Sequence, residues 1–149
     1  MILALDPGVR SGWAMSDGTC GTMDLKALFE ADRAHALNAY AQIVAHMLTQ
    51  HRVHLLLIER PMGRLVATLL PEILTARAHE VAWTHGVQRV ELTVPTIRKI
   101  VCGDARADKK AVQLAVEVAG WKCRNPHEAD AVAVLLAGIE KAKTERLAA

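Results

Sequence analysis

Four residues of this chain could do chemistry together: Asp6, Glu59, His127 and Asp130. Asp6 ends the apolar run Met1-Ile2-Leu3-Ala4-Leu5 and is followed by Pro7-Gly8. Glu59 ends the run from Val53 to Ile58 and is followed by Arg60-Pro61. His127 and Asp130 stand three positions apart, where an alanine-rich stretch begins. Three carboxylates and an imidazole form an oxygen-rich donor set suited to Mg²⁺ or Mn²⁺. A pair of such ions on a phosphodiester stabilises both the attacking and the leaving oxygen, so the set points to hydrolysis by water. Taken singly, Asp6 or Asp130 could instead cap a helix or pair with an arginine such as Arg10 or Arg60. Taken together, four such groups at the ends of three apolar elements favour a metal site.

The elements that must position these residues are legible in outline. Five apolar residues running straight into Asp6 suggest a strand buried on both faces, with its acid at the C-terminal tip. Ser11 to Ser16 suggests a second strand, closed by the turn signal Ser16-Asp17-Gly18, and Thr19 to Leu25 a third. Residues 1–25 thus form a three-stranded antiparallel meander. From Ala27 to Gln50 the period becomes helical, with Leu37, Tyr40, Ala41, Val44, Met47 and Leu48 on one face. Val53 to Glu59 is then a further strand. A strand, a helical crossover and a strand in one sheet normally run parallel, which brings the tips bearing Asp6 and Glu59 to the same edge. In open α/β sheets, that edge is where ligands bind.

Beyond Glu59, Met62 to Leu70 reads as a loop or short helix, and Pro71 opens a helix that stops near Gly86. Gln88 to Val94 supplies a fifth strand, Pro95-Thr96 a short helix, and Asp108 caps a helix that Gly120 ends. Asn125-Pro126-His127-Glu128 has an N-cap residue, proline at N1 and glutamate at N3, a capping box that also accounts for Glu128. The helix it opens is apolar all round, so Asp130 within it must be paired or ligated. Lys141 to Ala149 reads as a frayed end. The remaining histidines, and Trp13, Trp83 and Trp121, show no pattern joining them to the acids and read as packing or surface residues, the tryptophans as core.

The chain has 149 residues, 52% of them hydrophobic and 23% charged, as one globular domain over residues 1–149 requires. Its apolar runs fall short of the roughly 18 residues that span a bilayer, and its first residues lack the basic start of a secretory signal. Cys20, Cys102 and Cys123 have no paired spacing and read as free thiols in a reducing, cytoplasmic setting. Between residues 98 and 124, seven Lys/Arg outnumber Asp104, Asp108 and Glu117, a local charge of +4 in a chain of net charge +2. That segment is either a solvated face or a guide for a phosphate chain.

The segments ALDPGVRSGWA (4–14), LLIERP (56–61) and NPHEADAVAVLLAG (125–138) resemble those of RuvC-type Holliday junction resolvases. The resemblance spans nearly the whole chain. It implies an α/β, RNase H-like fold: a five-stranded mixed sheet, a three-stranded antiparallel meander plus two parallel strands, flanked by helices. It implies a crossover junction endodeoxyribonuclease of DNA recombination and repair. Such an enzyme works as a homodimer near the nucleoid, placing two sites on a four-way junction for paired nicks. Carried across, Asp6, Glu59, His127 and Asp130 become catalytic ligands of two Mg²⁺ ions, with Mn²⁺ as a substitute. DNA contacts are expected from Arg10, Arg60, Arg64, Arg106, Lys109 and Lys110. The family has a basic residue in a Gly-x-Ala-x-Lys segment; here the stretch GDARADKK is about two residues longer, so Lys109 and Lys110 both answer to it. Bacterial members insert an aromatic wedge from the region matching Met62–Leu70; this chain has no aromatic residue there, with Met62 and Leu65 expected to face the junction. Its short length is similar to phage-type relatives, some of which cut forks and flaps. Two other classes fit parts of the pattern: a junction-binding protein without catalysis, and an ATP-binding half-domain of the actin and sugar-kinase type.

Overall fold

The computed structural model describes residues 1–62 and 69–148, with side chains as far as Glu145. Strands β1 (Ile2–Asp6), β2 (Arg10–Met15) and β3 (Cys20–Asp24) form the antiparallel meander. On the other side of β1, β4 (Leu55–Arg60) and then β5 (Gln88–Thr93) pair in parallel, so the sheet order is β3-β2-β1-β4-β5. This is the expected five-stranded mixed sheet.

The unbroken apolar runs of β1 and β4 are explained by two cores, one on each face. Leu3, Leu5, Leu56 and Ile58 enter a core with Tyr40, Val44 and Leu48 of α2 (Arg33–Gln50) and with Leu74, Ala78 and Ala82 of α3 (Leu69–Thr84). Ala4, Ala14 and Leu57 enter the opposite core, with residues of α4 (Val94–Cys102), α5 (Lys109–Val118) and α6 (Pro126–Ala148). The alternation therefore aims Asp6 and Glu59 at the face that carries α6. Among the described residues, no helix is long and apolar enough to cross a membrane.

Four expectations need correction. The helix foreseen over 27–50 is two helices, α1 (Lys26–Ala31) and α2, broken at Asp32. Asp32 is extended (φ −156°, ψ 111°), and its carboxylate accepts the N–H groups of Ala34 and His35 at 2.8 and 3.2 Å. A cap that satisfies two orphan donors outcompetes continuation of the helix. The helix expected to open at Pro71 reaches back to Leu69, with Pro71 inside its first turn, where a missing N–H costs nothing. Trp83 is not core but 72% exposed. The end expected to fray is helical here: α6 runs on to Ala148, with Lys141 paired to Glu145 and Lys143 to Glu140. Arg64, Leu65 and most of the segment after Met62 lie outside the described residues.

The long helix α6 lies unusually close to the sheet, and two glycines permit it. A Cβ on Gly12 of β2 would overlap the carbonyl oxygen of His127, and one on Gly138 would overlap the Leu57 side chain. Gly12 pairs directly with Asp6 across β1 and β2. Its missing side chain therefore sets how near the first turn of α6 comes to that acid. Gly12→Ala should destabilise the fold toward or beyond the upper end of the roughly 1–3 kcal/mol typical of overpacking, because backbone must move. Urea unfolding of the variant measures this, and unchanged stability would contradict the close contact.

Candidate active site

The β1–β4 register pairs Leu5 with Ile58 and so places Asp6 beside Glu59 one residue further on, at the carboxyl end of two parallel strands. The turn beyond Asp6 is held from beneath. The fully buried Ser11 hydroxyl accepts from the Gly8 N–H at 3.0 Å and donates to the Gly8 carbonyl at 2.6 Å. From α6, the spacing of three brings His127 and Asp130 over the same edge. All four residues line one cleft of about 740 Å³, together with Arg98 of α4, Lys109 of α5, Arg10 of β2, and Lys26 and Phe29 of α1.

The first turn of α6 is fixed by its cap. Asn125 Oδ1 accepts the Glu128 N–H at 3.1 Å, as a capping box requires. The Glu128 carboxylate reaches one residue further back than expected, accepting the Arg124 N–H at 2.8 Å and the Arg124 guanidinium at 2.9 Å. Burial works to raise the Glu128 pKa and is outweighed by these donors, which hold it below its ordinary value. Glu128 is thus a cap and not part of the cleft.

Electrostatics set the cleft apart. Burial, followed by the charges of Glu59 and Asp130, holds Asp6 well above the ordinary carboxylate range, against a smaller opposing pull from Lys109. Burial and Asp130 likewise push Glu59 up to about 7, with Arg98 and Lys109 opposing. Lys109 Nζ stands 3.5 Å from Asp130 Oδ2. The arginines that could have neutralised these acids are engaged elsewhere: Arg10 with Asp24 at 3.0 Å, and Arg60 with Glu91 at 3.8 Å.

Of the expected DNA contacts, Lys109 sits among the acids and Arg10 at the rim. Lys110 and Arg106 are exposed and do not line the cleft, and Arg60 leans toward β5. Arg98 was not singled out by spacing, although it belongs to the basic segment 98–124. Lys26 and Phe29 were hidden by the unforeseen break at Asp32. Met62 is exposed just beyond β4. Cys20, Cys102 and Cys123 are free thiols, as expected.

Among the described residues, no three His, Cys, Asp or Glu side chains are drawn into a closed ligand cluster. The donor chemistry nevertheless fits a divalent cation. Carboxylates whose protons are held by burial, and then by mutual repulsion, gain most from a positive charge placed between them.

No protein-family model matches the chain. A crossover junction endodeoxyribonuclease RuvC from Gloeobacter violaceus is 32% identical over 92% of this chain and 86% of that protein. The Thermus thermophilus RuvC structure superposes with a TM-score of 0.74 at 17% identity, covering 97% of this chain and 96% of that one. T. thermophilus RuvC in complex with Holliday junction substrate gives a TM-score of 0.75 at 18% identity, covering 97% and 95%. These two solved structures show that the fold is shared.

The raised carboxyls have a consequence for stability. Between about pH 4.5 and 7 the folded chain holds a proton on Glu59 that the unfolded chain releases, and Asp6 acts in the same direction. Without divalent metal, stability should therefore fall as pH rises through that window, and Glu59→Gln should remove much of the fall. Urea unfolding in chelator at pH values from 4.5 to 8 tests the sign, and stability rising across the window would refute it.

Proposed function

The chain belongs to the RuvC family of crossover junction endodeoxyribonucleases, and from that membership we propose that it resolves Holliday junctions by metal-dependent hydrolysis of paired phosphodiesters. Residues 1–149 form the nuclease domain. The observation that carries this reading is the meeting of Asp6, Glu59 and Asp130, from three separate elements, in one cleft with His127 and Lys109.

Asp6, Glu59, His127 and Asp130 would hold two Mg²⁺ ions, with Mn²⁺ able to replace them. When bound, such ions neutralise phosphodiester charge and acidify water. The protein contributes the rest. β1 and β4 aim two carboxylates at one point, and the Gly12 contact sets the distance of the α6 pair from them. Lys109 and Arg98 bring positive charge to one side of the scissile phosphate, and Arg10 to the other. Of the two candidates in the GDARADKK stretch, Lys109 is the phosphate contact, because Lys110 lies outside the cleft. Hydrolysis leaves a 5′-phosphate and a 3′-hydroxyl.

A four-way junction has two-fold symmetry, and an isologous homodimer would present two such clefts to it. Branched DNA in a bacterial or phage-infected cell is the substrate, with forks and flaps as further candidates.

The decisive experiment is cleavage of a labelled four-way junction beside a fork, a flap and a plain duplex, in Mg²⁺ and in chelator. The junction should be nicked in Mg²⁺ alone. Asp6→Asn and Asp130→Asn should lose more than the roughly 10–100-fold that changes to groups behind metal ligands cost, while binding in chelator survives. Undiminished cleavage by clean Asp6→Asn protein would overturn the assignment, and metal-independent binding without nicking would point to a non-catalytic junction protein. Binding should also weaken steeply with salt, and a flat response would remove the 98–124 face from the DNA path.

A further inference from the structure

The cleft has a wall with no part in holding metal. It is α1, the short helix produced by the break at Asp32. Phe29 of α1 is the chain's single phenylalanine and the cleft's one aromatic lining residue among those described. It is half-buried, packs against the core that holds α2 and lines the cleft.

This wall is tied to the turn that follows Asp6. The Leu25 N–H donates to the Val9 carbonyl at 2.9 Å. One carboxylate, Asp24, accepts both the Arg10 side chain and the Lys26 N–H, each at 3.0 Å. Helix α1 therefore keeps its place relative to the acids. Pro7 and Val9 give this side of the cleft an apolar lining, and Arg10 and Lys26 line it beside the acids they pair with, Asp24 at 3.0 Å and Glu30 at 3.7 Å. An aromatic face beside two cations, whose exposed ion pairs are weak enough for a phosphate to replace, matches one nucleotide of a DNA strand: base on ring, phosphate on the cations.

Resting on the nuclease reading above, we propose that Phe29 is a specificity-determining residue. Its ring receives the base next to the scissile phosphate, while Arg10 and Lys26 hold the neighbouring phosphate. Cut-site choice is then made by α1, on the wall facing Arg98 and Lys109.

The test begins with the unmodified protein on a four-way junction; absence of any nick there refutes the nuclease reading itself, a failure distinct from that of the Phe29 assignment. With nicking established, Phe29→Leu and Phe29→Trp are compared in single-turnover cleavage. 2-Aminopurine is placed in turn at each nucleotide within two of the nick, and its fluorescence is read in chelator. Phe29→Leu should cleave roughly tenfold or more slowly, spread its cuts over more positions and lose the fluorescence change. Phe29→Trp should retain all three properties, and the melting temperatures of both variants should stay near that of the parent. Equal behaviour of Phe29→Leu and the parent overturns the proposal, and so does equal loss in both variants, which would mark a packing role. Should Phe29→Leu melt early, the scan on the unmodified protein decides. A fluorescence change confined to the base beside the nick supports stacking, and no change at any position refutes it.

Discussion

The burial of Asp6 and Glu59 beside Asp130, which costs desolvation first and repulsion second, is the constraint that the rest of this structure serves. Asp6, Glu59 and Asp130 would separate if they were free to do so. They are held together because each is attached to an element whose apolar body is locked into a core. β1 and β4 are buried on both faces, and α6 is wedged against the sheet so closely that Gly12 and Gly138 have no room for a side chain. Packing energy, which is large and non-directional, thus maintains a charge arrangement that electrostatics alone opposes. Lys109 and Arg98 offset part of this cost, and burial, followed by repulsion, still leaves Asp6 and Glu59 raised.

The parts of this arrangement dictated by the main chain were legible in the sequence. An apolar run ending in an acid is a direct statement about a strand buried on both faces, so β1 and β4 were readable together with their tips. The cap at Asn125 and the spacing of His127 and Asp130 defined where α6 starts and which face it turns to the sheet. The parallel pairing of β1 with β4 followed from the helical crossover between them. From these alone the four acidic and imidazole groups could be assigned to one edge.

What escaped sequence reading depended on competition between local interactions or on contacts distant in sequence. Asp32 lies in a segment with a continuous helical period, and only the hydrogen bonds its carboxylate makes to Ala34 and His35 break it. The break turns Lys26 and Phe29 toward the cleft. Arg98 was one of seven basic residues in its stretch, with nothing local to separate it from Lys99; the packing of α4 beside β5 makes the choice. Trp83 has the chemistry of a core residue, yet the last turn of α3 leaves it in solvent. The reach of Glu128 to Arg124 extends the ordinary capping box by one residue, a matter of side-chain geometry that spacing does not encode.

The Asp32 break also divides the molecule into parts that tolerate change differently. Helix α1 contributes no fully buried residue and ends at its own cap; it is anchored through Asp24 and Leu25 and rests Leu28 and Phe29 against the edge of one core. Changes at its exposed positions leave the strand tips and the seat of α6 in place, so the shape of this wall can be altered while the acids keep theirs.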